Sequence, residues 1–162
     1  MEIAGLPLHP LVVHAAVTLV PLSAGLAIAL AVLPRWRWLS RWPTAATAVA
    51  ALVVAWVARV SGNALLEDRP FLLDADPIAS RLETHQQLGE ILSLVMIPFA
   101  VLVVLAAWSL AGTSALASGR GAQESRVPAL DKALPVVLVV AALGVLVLVV
   151  LTGDAGSRAV WG

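Results

Sequence analysis

Three histidines, His9, His14 and His85, are the candidate neutral ligands in a chain that contains no cysteine. Without thiols, thiolate metal sites, iron–sulfur clusters and cysteine nucleophiles are excluded. His9 and His14 lie in GLPLHPLVVHAAVTLVPLSAG, where an apolar segment begins, and His85 lies in THQQLGE before another. Imidazoles at the ends of apolar segments predict either a ligand site or polar contacts between helices.

His14 and His85 are predicted to lie at the same depth and to face each other. His14 comes 22 residues before Trp36, and His85 comes 23 residues before Trp108; tryptophan marks the membrane interface. Each histidine also belongs to a row of residues spaced three or four apart, which marks one helix face that packs against other helices. In the first helix the row is His14, Thr18, Pro21, Gly25 and Ile28. In the third helix it is Ile78, Leu82, His85, Gly89, Leu92 and Met96. Imidazoles on diagonal helices of an up-down bundle can bind a haem iron from both faces, so haem b is the first candidate cofactor.

A metal ion is the second candidate. Oxygen and nitrogen ligands suit zinc or copper, and the predicted ligand set is His9, His14, His85, Asp154 and Glu67. No HExxH or CxxCH pattern supports it. The alternative is that His14 and His85 only form hydrogen bonds between helices, while His9 bonds the backbone at a helix start.

Arg59 and Glu90 form a second predicted polar contact. They lie 17 and 18 residues from Trp42 and Trp108, on adjacent helices and about one turn below the histidines. A lone charge costs about 2.5–3.5 kcal/mol near the bilayer centre, and less towards the interface, so an intramembrane ion pair is predicted. The alternative is that Arg59 extends to the interface and Glu90 is protonated.

The composition predicts the elements that position these side chains. The chain has 162 residues, is 60% hydrophobic and 12% charged, and has a mean hydropathy of +0.96. A soluble domain of this length cannot cover so many aliphatic side chains. Four apolar runs predict an all-α, four-transmembrane-helix up-down bundle. The bundle is expected to form a single integral membrane domain over residues 1–162. Its spans are predicted at about 11–33, 44–62, 78–112 and 133–152.

The loops predict the orientation of the bundle. The segments PRWRWLSRWP and 113–132 are rich in arginine, whereas the loop 61–84 and both termini are rich in acidic residues. The positive-inside rule places the basic loops in the cytoplasm and both termini outside, in a bacterial inner membrane. The first span is expected to be retained rather than cleaved as a signal peptide. The polar segment 113–132 is typical of a linker between two helix pairs.

Three motifs resemble one protein family. The entry LHPLVVH resembles the His-Pro-x-x-Val-His motif of the bacterial membrane proteins catalogued as domain of unknown function 2231. THQQLGE is similar to the family's His-x-x-x-Gly element, and TGDAGSRAVWG resembles its ending Gly-His-Ser-Gly-Ala-x-x-Val-Trp. The resemblance runs from Leu8 to Trp161, and Asp154 stands where a histidine is common. The resemblance implies a small membrane protein of unknown activity. The residues that it matches to positions of the family's motifs are His9, Pro10, His14, His85, Gly89, Gly153, Gly156 and Trp161.

These patterns predict a small membrane subunit that binds haem or a metal ion and supports electron transfer. The alternative function is a structural or assembly subunit whose histidines only fix helix packing. No nucleophile–base pair is evident, so an independent enzyme is not expected. Expected partners are the lipid bilayer and respiratory or other membrane-complex subunits; a net charge of zero gives no support to nucleic-acid binding. The sequence does not specify the oligomeric state.

Overall fold

The computed structural model of the chain describes residues 2–3, 6–73, 78–114 and 116–161. Two short strands, β1 (Glu2–Ile3) and β2 (Leu6–Pro7), pair antiparallel at the start. The helices are α1 (Leu8–Val32), α2 (Arg37–Asp68), α3 (Ile78–Ser109) and α4 (Leu130–Trp161), with short 3-10 helices at Pro34–Trp36 and Pro70–Leu73. Among the described residues, these four helices are long and apolar enough to cross a membrane.

The four helices form a bundle in which sequence neighbours pack side by side. α1 packs on α2 and α4, α3 packs on α2 and α4, and α1 and α3 are diagonal. The start of α1 contacts the end of α2, and the start of α3 contacts the ends of α2 and α4. The helices therefore alternate in direction, and the predicted up-down bundle is confirmed.

Three helices extend further than predicted: α1 begins at Leu8 rather than at residue 11, and α2 and α4 extend at both ends. α2 continues beyond residue 62 to Asp68, and α4 continues beyond residue 152 to Trp161. Hydropathy identifies only the part of a helix that fits the hydrocarbon layer, whereas backbone hydrogen bonds continue until a helix-breaking signal. α3 ends at Ser109, three residues before the predicted boundary. The extended ends of α2 and α4 frame the candidate site.

Small residues line the contacts between helices. Ala24, Ala27 and Ala31 of α1 are buried, as are Ala48 and Ala51 of α2. Small side chains let membrane helices approach closely, because dispersion contacts between backbones then replace contacts with lipid. The largest fully buried side chains fill the remaining space: Phe99, Leu30, Met96, Leu110 and Leu138. Valines and leucines dominate the exposed surface, as expected of a bundle facing lipid.

The predicted interior face of α3 is confirmed at Leu92 and Met96 but not at Ile78, which is exposed, and the predicted interior face of α1 is wrong. Leu92 and Met96 of α3 are buried. In α1, Thr18 and Gly25 are exposed. The face that packs inward is Val20, Ser23, Ala24, Ala27, Leu30 and Ala31. One side of α1 faces lipid and the other faces the bundle interior, and both are apolar. Hydrophobic periodicity therefore does not distinguish the two sides, whereas the spacing of alanines identifies the side that packs inward.

Two buried arginines organise the end of the bundle where α1 and α3 finish, here called the arginine end. Arg37 donates from Nε to the Leu30 carbonyl at 2.8 Å, from Nη2 to Ala31 at 2.7 Å and from Nη1 to Ala111 at 2.5 Å. Arg41 donates to the Gln123 side chain. The predicted linker is thus tied to the helix ends in its described part, and Gly112 also pairs with Gln123 through backbone bonds.

Candidate functional site: a cavity between the four helices

A cavity of about 150 Å³ lies at the opposite end of the bundle, where α1 and α3 begin. We call this the histidine end. All four helices contribute to a wall made mostly of aliphatic side chains and glycines. The side chains with polar groups that line it are His9, Arg59, Asn63, His85, Gln86 and Thr152. An apolar cavity with a few convergent polar groups is the usual form of a small-ligand site.

His9 connects the start of α1 to α2. Its Nδ1 lies 2.9 Å from the carbonyl oxygen of Ala58. The imidazole also packs against Gly62, where a Cβ would lie 3.0 Å from the ring Cε1. Ser61 Oγ lies 3.5 Å from the same Nδ1. The glycine leaves the space that the ring occupies.

His85 makes the same contacts with α4. Its Nδ1 lies 3.0 Å from the carbonyl oxygen of Thr152. A Cβ on Gly156 would lie 2.9 Å from the His85 Cε1, closer than real contacts allow. Each histidine therefore bonds a carbonyl on the next helix along the chain and packs on the glycine four residues beyond that carbonyl.

The hydrogen bonds determine which ring nitrogen is available. A carbonyl oxygen only accepts, so Nδ1 carries the hydrogen in both rings, and a neutral imidazole then keeps its lone pair on Nε2. The ring centres of His9 and His85 are 6.2 Å apart, with planes inclined at 69°. The site thus presents two imidazoles of the same tautomer to one cavity.

His14 does not lie in this cavity, so the predicted inward position of its side chain is wrong. The residue is exposed, and its Nδ1 lies 2.6 Å from the Pro10 carbonyl oxygen one turn earlier. The depth estimate failed because Trp36 belongs to the 3-10 helix after α1. Counted from the last residue of each helix, His9 lies 23 residues before Val32 and His85 24 residues before Ser109. His9 is therefore the residue level with His85.

The two carboxylates of the predicted ligand set also lie away from the cavity. Asp154 pairs with Arg158 at 2.8 Å, and both side chains are exposed. Glu67 is exposed near the end of α2. In the part of the chain that the structure describes, no three His, Cys, Asp or Glu residues come together as a metal-binding group. The ligand set that remains is the His9–His85 pair.

Arg59 and Glu90 are in contact, with Nη2 and Oε1 2.5 Å apart. Arg59 lines the cavity. Its guanidinium also lies over the Trp56 ring at 5.2 Å, and Trp56 Nε1 donates to the Ser93 carbonyl at 3.1 Å. The Arg59 guanidinium thus brings a positive charge to the cavity that the two imidazoles also line. The Glu90 carboxylate largely balances this charge.

Of the two glycines that contact the histidines, Gly156 is among the family positions that the resemblance implied, whereas Gly62 was missed. Gly62 and Gly156 lie in helices, where glycine is unfavourable by about 1 kcal/mol relative to alanine. Both contact a histidine ring. The acceptors Ala58 and Thr152 carried no signal in the sequence, because backbone carbonyls are present at every position.

Haem b does not fit the cavity in this arrangement of helices. A cavity of about 150 Å³ is known to hold a molecule the size of benzene, and this cavity has that volume. A macrocycle of four pyrrole rings would require the helices to separate. A single ion requires no such movement.

The protein family described as "Predicted membrane protein (DUF2231)" matches residues 5–162. This confirms the resemblance inferred from the motifs. No curated protein and no solved structure matches the chain.

Proposed function

Because this chain belongs to the DUF2231 family of membrane proteins, we propose that it is a membrane-spanning subunit that binds one transition-metal ion between His9 and His85. The observation that carries the proposal is the hydrogen-bond pattern that the two rings share. Both rings line the cavity and give their Nδ1–H to a backbone carbonyl, so a neutral ring keeps its Nε2 lone pair for a ligand. A histidine that binds a metal almost always donates its other N–H in this way, which fixes the ring and its tautomer.

The alternative is a structural subunit, and the same two hydrogen bonds favour it. The His9 and His85 bonds join α1 to α2 and α3 to α4. Polar contacts of this kind stabilise membrane bundles without any ligand. The two functions differ in one respect: metal binding requires Nε2, whereas helix joining requires only the Nδ1 donor.

Asparagine separates these two roles. Its side-chain amide can donate to the carbonyl that Nδ1 bonds, but it offers no counterpart to Nε2. Metal content is measured after detergent purification for wild type, His9→Asn, His85→Asn and the control His14→Asn. Metal binding predicts a stoichiometric ion in wild type and His14→Asn, and loss in both other variants. Absence of any metal from correctly folded wild type, even after incubation with copper, zinc and iron salts, would leave the structural function.

Electron transfer is the further role that the proposal includes, with other membrane-complex subunits as partners. It requires a redox-active ion such as copper or iron, since zinc has no accessible redox change. The proposed setting is a bacterial inner membrane with the arginine end in the cytoplasm. Exposed basic residues at that end support this orientation: Arg35, Arg120, Arg126 and Lys132.

A further inference from the structure

The distance between the centres of the two imidazole rings indicates the nitrogen–metal–nitrogen angle that an ion bound by both rings would have. Their centres are 6.2 Å apart. With a metal–nitrogen bond of about 2.0 Å, a bound ion lies about 3.1 Å from each ring centre. A straight nitrogen–metal–nitrogen arrangement then places the centres about 6.2 Å apart, and a tetrahedral angle about 5.1 Å apart. The observed separation equals the one that a straight arrangement requires when the two Nε2 atoms face each other.

The inclination of the rings is compatible with that arrangement. A straight coordination axis lies in the plane of both imidazoles, so each ring can rotate about it without moving its nitrogen from the ion. The observed angle of 69° is therefore permitted. The bonds to Ala58 and Thr152 hold each ring at its own rotation.

The charge of the site favours an ion of low charge. Both imidazole donors are neutral, the wall is mostly aliphatic, and Arg59 is already paired with Glu90. No carboxylate or third histidine of the described chain joins them. A divalent cation would bring two uncompensated charges into this apolar setting, whereas a monovalent cation brings one.

We infer that the His9–His85 site selects copper(I), bound by two Nε2 atoms in a straight line, and discriminates against zinc(II). The inference rests on the metal-binding part of the proposed function and names its ion; because the same charge argument disfavours copper(II), it does not extend to the electron-transfer role. Copper(I) is monovalent and accepts two neutral nitrogen donors in linear coordination, and imidazole is among the ligands that suit copper. Zinc in proteins is almost always four-coordinate and tetrahedral, which neither the spacing nor the number of ligands supports.

The test compares the two ions on the whole purified protein in detergent. Metal-free protein is incubated without oxygen with copper(I), supplied as its acetonitrile complex, or with zinc sulfate. A chelator of known affinity is then added in steps, and the retained ion is measured. X-ray absorption at the copper edge counts the nitrogen neighbours. The same measurements on His9→Asn, His85→Asn and the control His14→Asn identify the ligands.

The expected result is one copper(I) ion per chain with two nitrogen neighbours, and a dissociation constant for zinc that exceeds the one for copper(I) once the chelator's own affinity for each ion is taken into account. The copper must be retained by His14→Asn and lost by the other two variants. Equal affinity for zinc, or three or more copper neighbours, would overturn the copper(I) inference and leave the metal site standing. Failure of folded wild type to retain either ion would overturn the proposed function itself.

Discussion

Gly62 and Gly156 occupy equivalent positions in the two halves of the chain. Each lies four residues beyond the residue whose carbonyl a histidine bonds. In each case a Cβ added to the glycine would collide with the ring of that histidine. The pair α1–α2 thus repeats with α3–α4, although the two halves share little sequence. Both histidines line the same cavity.

Substitution of either glycine should disturb the site. Gly62→Ala and Gly156→Ala place a methyl group 3.0 and 2.9 Å from an imidazole carbon, so the ring must shift. Overpacking of this kind costs about 1–3 kcal/mol, which should exceed the gain of up to about 1 kcal/mol in helix propensity. We expect lower thermal stability in detergent and weaker metal retention. Gly144→Ala is the control, because its Cβ meets nothing within 4 Å; if all three variants gain stability alike, the close packing is refuted.

The Arg59–Glu90 contact should behave as a coupled pair. Arg59→Ala leaves Glu90 without its partner, and Glu90→Ala leaves Arg59 beside the cavity without compensation. Each single variant should be less stable than wild type, and the double variant should lose less than the sum, by about 0.5 kcal/mol or more. Thermal unfolding of all four proteins in one detergent measures this coupling. Strict additivity would mean that the contact makes no net contribution.

Arg37 should be essential to the arginine end. Its guanidinium donates to three carbonyl oxygens, on Leu30, Ala31 and Ala111. Arg37→Lys keeps the charge but has a single nitrogen, which cannot reproduce the three-way planar geometry. Because hydrogen bonds to charged groups contribute about 1.5–3 kcal/mol each, we expect a lower thermal midpoint even for this conservative change.

Arg35→Lys provides the comparison, since Arg35 is exposed next to the same turn. It should leave the thermal midpoint unchanged. An unchanged thermal midpoint in both variants would contradict the role assigned to the three guanidinium hydrogen bonds of Arg37.

The proposed orientation can be tested with single cysteines, since the chain has none of its own. Phe71 is 63% exposed at the histidine end, and Ser118 is exposed at the arginine end. A thiol reagent that cannot cross membranes should label Phe71→Cys but not Ser118→Cys in intact cells. Both should be labelled after the membrane is opened. Labelling of Ser118→Cys alone in intact cells would reverse the orientation.

The sequence predicted the helices and the two ends of the bundle better than it predicted the site. Span lengths and arginine-rich loops follow from the thickness and charge of a membrane, so they can be recognised in a single chain. The choice between His9 and His14 depends on which face of α1 packs inward. Lipid is as apolar as a protein interior, so hydrophobic pattern alone does not distinguish the two faces. The positions of Ala24, Ala27 and Ala31 would have favoured His9.

The matching contacts in the two helical hairpins have a consequence for the connection between them. One helical hairpin with a histidine at the start of its first helix and a glycine near the end of its second contains half of the cavity. Two copies of such a hairpin, related by a true two-fold axis, would rebuild both imidazoles, both carbonyl acceptors and the space between them. Each histidine–carbonyl bond lies within one hairpin, so neither bond depends on contacts across the link between α2 and α3. The Arg59–Glu90 ion pair, by contrast, joins α2 to α3, the two helices that this link connects.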